Sequence, residues 1–242
     1  MDNVLVTGAS RGIGLAIATR LAREGFCVIG VARKPSEAFA RAAAELGGAG
    51  ALHFEPFDLT DVAAIPAFVR GLKERHGPIY GLVNNAGVGT GGLLANTSNA
   101  DIEALLRLNT LAPIVLTKYV ARGMMAEGRG RIVNIASIVA ATGYNGLSVY
   151  SASKAALVGF TRALAREVGR VGVTVNAIAP GFVDTELTRG LDAAQRDRIV
   201  ARAALRRLTD VEDVAAMAAL LMGEGGRNVT GSVLTVDAGA TA

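Results

Sequence analysis

The alternation of apolar runs with helical patterns constrains this chain more than any other feature. Short runs at residues 4–6, 26–32, 52–57, 79–83, 131–136, 173–178 and 233–236 read as strands, most of them without a polar face. Between them, apolar residues recur at helical spacing, as with Ile13, Ala16, Ile17 and Leu21 in the stretch 12–24. The same pattern gives helices at 36–46, 61–76, 99–126, 150–169 and 211–222, with Gly47 and Gly48 stopping the first of these. A strand apolar on both faces must be covered on both, and an intervening helix lets successive strands run parallel. Right-handed crossovers then lead to a doubly wound, Rossmann-type α/β fold, one parallel sheet of about seven strands with helices on both faces. The 242 residues, 51% of them hydrophobic, suit a single domain spanning 1–242 with a sizeable core.

The charge balance narrows the partners. The net charge is +4, but only 19% of residues are charged and no run of five like charges occurs. A nucleic-acid surface would need a dense Lys/Arg stripe. Mild basicity is better matched to a small anionic ligand, or to an acidic protein that delivers one. The single cysteine, Cys27, excludes an internal disulfide and a cysteine-based zinc cluster and reads as a core thiol; no metal site is expected. Met1-Asp2-Asn3 has none of the features of a secretory leader, and no apolar run reaches about 18 residues. A soluble cytoplasmic protein is the expectation.

The first strand ends in Thr7-Gly8-Ala9-Ser10-Arg11-Gly12-Ile13-Gly14, which leads into the first helix. Glycines here let the backbone turn sharply and approach a pyrophosphate, and the free N–H groups of the helix start favour that anion. The spacing is G-x-x-x-G-x-G; placement between a strand and a helix is what gives it weight. NAD-binding folds carry an acidic residue near the end of the second strand to hold the ribose hydroxyls. This chain has Ala32 there, followed by Arg33 and Lys34. A guanidinium binds a 2′-phosphate in a fork, so NADP(H) is favoured over NAD, with Arg11 as a second cation. Arg33 also reads as an ordinary solvated cation. Asp58, with Leu59 after the third strand, is either an acceptor for the adenine amino group or a helix cap.

Tyr150 and Lys154 lie four residues apart at a helix start, and Ser137 ends the fifth strand. In a doubly wound sheet these positions meet at the carboxyl edge, where ligands bind. Reduction of a ketone needs a hydride to carbon and a proton to oxygen. A free phenol ionises only near pH ~10, so activity at neutral pH needs a shift of roughly three units. An ammonium at about 4 Å in an effective dielectric of about 20 supplies roughly 4 kcal/mol, which is of that size. Tyr150 is then the proton donor, Ser137 a hydrogen-bond partner of the substrate oxygen, and Lys154 both the activating cation and a holder of the nicotinamide ribose. Two loops, 88–98 and 180–192, border this edge.

Together these segments resemble the short-chain dehydrogenase/reductase family over essentially the whole chain: residues 7–14, Asn84-Asn85-Ala86-Gly87, Ser137, Tyr150-Ser151-Ala152-Ser153-Lys154, and residues 176–185. The resemblance implies that Asn85, Ala86 and Gly87 line the cofactor. It implies that Asn109 is a fourth catalytic residue that helps hold a relay water. It implies that Pro180, Gly181, Val183 and Thr185 cradle the nicotinamide amide, and that Val229-Thr230-Gly231 forms the turn before the last strand. Within the family the wording is most like 3-oxoacyl-acyl-carrier-protein reductases. The arginines those enzymes use near the active-site mouth to dock the acidic carrier fall at Gly128 and Val171, with Arg129 and Arg170 one residue away. A homotetramer built from the helices at 99–126 and 150–169 is also implied. The competing readings are a dehydrogenase of a small free alcohol, ketone, sugar or steroid, and a non-catalytic NADP-binding sensor.

Overall fold

In the computed structural model, which describes residues 1–46, 51–89, 91–183 and 193–242, the chain builds one seven-stranded sheet. The strands are β1 (Asn3–Thr7), β2 (Cys27–Ala32), β3 (Ala51–Pro56), β4 (Ile79–Asn84), β5 (Gly130–Ile135), β6 (Val173–Pro180) and β7 (Val233–Val236). Their order is β3-β2-β1-β4-β5-β6-β7, and every neighbouring pair is parallel. The chain reverses its winding between β1 and β4, so a crevice opens at the carboxyl ends of those two strands.

The helices are α1 (Gly12–Arg23), α2 (Glu37–Glu45), α3 (Ile65–His76), α4 (Asn99–Leu106), α5 (Ala112–Glu127), α6 (Val139–Thr142), α7 (Ser148–Val168), α8 (Ala193–Arg202) and α9 (Val211–Met222). One apolar cluster joins α1, Phe39 of α2 and α9 to one face of the sheet, around Val4, Val6, Val28 and Val133. The other joins α3, α5 and α7 to the opposite face, around Leu5, Ile29, Leu82, Ile132 and Val175. Odd and even positions of one strand serve opposite clusters, which is why these strands lack a polar face.

A buried polar ladder crosses the second layer. Asn84 Nδ2 donates to Thr117 Oγ1 of α5 (2.9 Å) and to Asn134 Oδ1 of β5 (2.8 Å). Asn134 Nδ2 donates to Thr161 Oγ1 of α7 (2.8 Å). Asn84 Oδ1 is left buried without a partner, but the paired amide groups still fix one register of helix against sheet.

Three elements differ from the pattern in the sequence. The third helix starts at Ile65, not near residue 61, because Asp58 and Asp61 fold the chain into turns: Asp58 Oδ1 accepts from Thr60 N and Oγ1, and Asp61 Oδ1 accepts from Ala64 N. The long helix at 99–126 is interrupted by a π turn over Arg107–Leu111, with Pro113 just after it. The stretch after the sixth strand contains α8, whose apolar signal is diluted by charge. Gly47, Gly48, Thr90 and Thr185 lie outside the described residues.

Candidate active site

The glycine turn is held from three sides. Gly8 and Gly12 take φ of +66° and +55°, where a side chain would be strained. Gly8 N donates to Val31 O of β2 (2.8 Å), and the Ser36 hydroxyl donates to Ser10 O. Asn85 Nδ2 donates to Thr7 O (2.9 Å) and Gly8 O (3.3 Å). A Cβ on Gly14 would lie 2.2 Å from Gly8 O and 2.4 Å from Asn85 Nδ2. Helix α1 begins here with no side-chain cap at Arg11 and no acidic residue in its first turn, so its N-terminal field is left for an anion.

Thr7 is a hub that sequence reasoning missed. Its hydroxyl accepts from Asn85 N (2.9 Å) and Ala86 N (3.0 Å) and donates to Val83 O (3.2 Å), fastening β1 to the chain that leaves β4. The signal was a buried threonine in an otherwise apolar strand.

At the tips of β2 and β3, Arg33 is exposed and its charge reaches Asp58. Hydrogen bonds from Thr60, backbone and then side chain, hold the Asp58 carboxyl below its usual range, with Arg33 adding to the effect. Leu59 beside it is buried. The crevice mouth thus carries a cation and an exposed carboxylate side by side.

Ser137, Tyr150, Lys154 and Asn109 converge. The Ser137 hydroxyl lies beside the Tyr150 phenol, near enough for hydrogen bonding to favour the ionised form. Lys154 is buried, with Nζ donating to Ile135 O (2.8 Å) and lying 5.7 Å from the Tyr150 ring centre. A Cβ on Gly87 would lie 3.1 Å from Asn109 Oδ1 and 3.5 Å from Lys154 Nζ, so the glycine lets these two groups share one corner. Asn109 sits fully buried within the π turn; such turns are frequent at functional sites. Its Oδ1 accepts from Val88 N (2.9 Å), and its Nδ2 donates to Val88 O (2.8 Å) and Ser153 Oγ (3.3 Å). Both amide protons are therefore used within the protein.

Ser153 is the second residue missed. Its hydroxyl donates to Tyr150 O (2.7 Å) while accepting from Asn109, so it joins the catalytic helix to the π turn. Its position in the buried stripe Ser153, Leu157, Thr161, Ala165 of α7 is the signal that was available.

The electrostatics depart from expectation. Burial pushes the Tyr150 phenol up, and the hydrogen bond from Ser137 opposes this only in part. Burial also lowers Lys154 to about 8. The ammonium is spent on a backbone carbonyl and is itself desolvated, so in the protein alone it does not bring the phenol down. A cation added to this pocket, or water excluded around the pair, would strengthen the coupling.

Pro180 and Gly181 follow β6 directly. Pro180 O accepts from Ile138 N (3.0 Å), and Gly181 N donates to Val236 O (2.9 Å). Val183 is buried and bridges to Thr209. The turn Val229-Thr230-Gly231 is explained by Asn176, whose Nδ2 donates to Val229 O (2.7 Å) and whose Oδ1 accepts from Ser232 N (3.2 Å). The mouth is framed by exposed Leu93 and Leu94, by Gly92 N donating to Gly146 O (3.0 Å), and by the Tyr144–Phe182 ring pair.

The positions matched to carrier docking do not join this mouth. Gly128 and Val171 lie just before β5 and β6, at the opposite edge of the sheet, a strand length of roughly 20 Å from Ser137. Arg129 there makes a two-pronged ion pair with Asp2 (2.7 and 3.1 Å) and lies over Tyr80. Among the described residues no metal-binding group occurs, and no helix is long and apolar enough to cross a membrane.

A doubly wound sheet with a side-chain-free turn at its switch point, and a Ser–Tyr–Lys cluster on the same edge, defines an oxidoreductase of the nucleotide-binding α/β class. The family model for short chain dehydrogenases matches residues 2–196, and the chain belongs to that family. It is 41% identical over 239 residues to the 3-oxoacyl-[acyl-carrier-protein] reductase FabG of Pseudomonas aeruginosa, covering 97% of this chain and 95% of that one. The FabG of the same description from Escherichia coli is 39% identical over 235 residues, with the same coverage. A crystal structure described as blue fluorescent protein from a metagenomic library in complex with NADPH superposes with a TM-score of 0.92 at 36% identity, covering 100% of this chain and 98% of that one.

Proposed function

We propose that the chain, as one catalytic domain, reduces a carbonyl to a secondary alcohol with NADPH, and that its substrate is a 3-oxoacyl thioester on acyl carrier protein. The observation that carries this reading is the Ser137–Tyr150–Lys154 cluster on the same sheet edge as the bare turn from Gly8 to Gly14. The residues present fit a dinucleotide phosphate: the cradle is one that a single Cβ would fill, and Arg33 stands where a carboxylate would repel a 2′-phosphate. Ser10, Arg11, Gly12, Ile13 and Gly14 would hold the pyrophosphate. Arg33 would hold the 2′-phosphate, and Asp58 and Leu59 would flank the adenine. Asn85, Ala86, Gly87, Pro180, Gly181, Val183 and Thr185 would line the nicotinamide half. When bound, NADPH supplies the hydride.

The remaining steps belong to the protein. Tyr150 holds the proton on its phenolic oxygen and passes it to the substrate oxygen; Ser137 donates to that oxygen and orients it. Lys154 stabilises the phenolate left behind and holds the nicotinamide ribose. Asn109 fixes the 87–89 strap through Val88, and the relay water implied by resemblance would need atoms other than its amide protons. The names of the FabG relatives support a carrier-bound substrate. A homotetramer is supported by exposed Leu106, Leu111 and Met125 and by the small exposed residues Ala155, Ala156, Gly159 and Ala163 along α7. A cytoplasmic location goes with this reading.

The test is to mix the protein with NADPH and an acetoacetyl thioester and to follow NADPH absorbance. Consumption with 3-hydroxyacyl product supports the proposal. Turnover of a free ketone alone favours a dehydrogenase of small alcohols, and binding without turnover favours a sensor. Two substitutions test the cradle. Arg33→Ala is expected to weaken NADPH roughly tenfold and NADH little, by titration of cofactor fluorescence. Gly14→Ala is expected to cost about 1–3 kcal/mol of stability, seen in urea unfolding, and to weaken both nucleotides.

A further inference from the structure

Downstream of β6 the chain leaves the sheet at Val183 and returns at Thr209. The two residues form a parallel bridge. Thr209 N donates to Phe182 O (3.1 Å), and Thr209 Oγ1 donates to Val236 O (3.3 Å) at the end of β7. The end of α8 is fastened to the C-terminal tail beyond β7: Ala204 N donates to Gly239 O (3.3 Å) and Leu205 N to Ala238 O (3.0 Å). The tail is in turn pinned by its own first residue. Asp237 Oδ1 accepts from Gly239 N (2.9 Å), and Oδ2 accepts from Thr241 N (2.9 Å) and Thr241 Oγ1 (2.7 Å).

Strain marks the same contact. Among the described residues the non-glycine residues with left-handed backbone are Arg206 and Ala238, both at φ 53°, one in each of the two touching turns. Such conformations persist only where the surroundings over-determine them. Gly239 (φ +76°) is packed so closely that a Cβ on it would lie 2.7 Å from Ala204 Cβ. At the other end of the bridge, the Phe182 ring meets Tyr144 edge to face at 5.4 Å. Tyr144 O accepts from Leu147 N (3.1 Å), at the entry to the helix that carries Tyr150.

We propose that Asp237 and Gly239 are positioning residues for the carbonyl substrate: through Ala204 and Leu205 they set the turn that ends α8, next to the Val236–Thr209–Phe182 links that hold the Phe182–Tyr144 wall beside Tyr150. The proposal rests on the reductase reading for its substrate. None of its tail contacts touches the glycine turn from Gly8 to Gly14, which would hold the pyrophosphate, although Asp237 packs against Gly181 on the nicotinamide side.

Gly239→Ala forces the tail off Ala204 and is expected to raise KM for an acetoacetyl thioester about tenfold, with kcat changed less and NADPH affinity unchanged. Hydrogen exchange should quicken in Ala193–Arg202 and not in α1. Adding Ala204→Gly in the same chain makes room for the new Cβ and should bring KM part of the way back, since the strain of alanine at φ +76° remains. If Gly239→Ala does not fold, a chain ending at Ala240, which lacks the Thr241 latch, is expected to show the same KM and exchange changes. Unchanged KM together with unchanged α8 exchange overturns the proposal. So does a parallel loss of NADPH affinity and thioester turnover, which would make the tail a general support. If the unaltered protein reduces no carbonyl, the reductase reading fails on its own, while α8 exchange still decides whether the tail holds that helix.

Discussion

Tyr150→Phe is expected to lower turnover roughly 10²–10⁴-fold, the usual contribution of a positioned acid, while NADPH affinity stays within a factor of about two. The ring stays, so its packing beside Ser137 and Lys154 stays with it; only the phenolic hydroxyl, and with it the proton to be donated, is removed. Single-turnover kinetics with NADPH in excess checks this, since a loss confined to the chemical step leaves nucleotide binding intact. A pH profile adds a second check. Burial raises the phenol and lowers the lysine in the protein alone, so turnover should hold through neutral pH and fall on the alkaline side, as Lys154 and then Tyr150 lose their protons. A profile that falls steeply in the acid range would assign the proton to another group.

Lys154→Met is expected to abolish most turnover and yet make the protein alone more stable. Its folded value of about 8 lies below the ordinary 10.5. Below pH 8 both folded and unfolded chains hold the proton, and folding carries the whole cost of burying the charge. Between 8 and 10.5 the folded state has lost its proton while the unfolded state keeps it, so stability rises with pH; above 10.5 the penalty is gone. A shift of roughly 2.5 units corresponds to about 3 kcal/mol. Methionine forfeits the bond to Ile135 O and leaves that buried carbonyl unpaired, which costs about 1–3 kcal/mol, so a net gain of up to about 2 kcal/mol is expected at neutral pH. Urea unfolding of both proteins at neutral pH, and again between 8 and 10.5, should show the gap narrowing as pH rises. A gap that widens with pH would contradict the burial account. The group that performs the chemistry is thus one that folding opposes, a common trade at active sites.

The fold was legible because its signal is spread over many residues. Both-faced apolar strands and intervening helices specify a doubly wound parallel sheet with little help from any single position; the order β3-β2-β1-β4-β5-β6-β7, with its reversal between β1 and β4, is seen only in the structure. The Tyr150–Lys154 spacing and the glycine turn were legible because chemistry ties them to fixed offsets. The features that were not legible depend on contacts distant in sequence. The π turn at Asn109 is made by Val88 and Ser153, residues 21 and 44 positions away. The late start of α3 rests on side chains of Asp58 and Asp61 that compete with the helix for backbone N–H groups. The place of Gly128 and Val171 at the far edge of the sheet became clear only when the strand direction fixed which end of β5 and β6 they precede. The fate of the Lys154 charge turned on how deeply the side chain is buried, which spacing alone does not report.

The most direct measurement is a crystal structure with NADP and a non-reactive 3-oxoacyl thioester analogue. The account predicts the ketone oxygen within about 3 Å of both the Tyr150 phenolic oxygen and Ser137 Oγ. A ketone bound on the opposite side of the nicotinamide, with those two hydroxyls engaged only with each other, would contradict it.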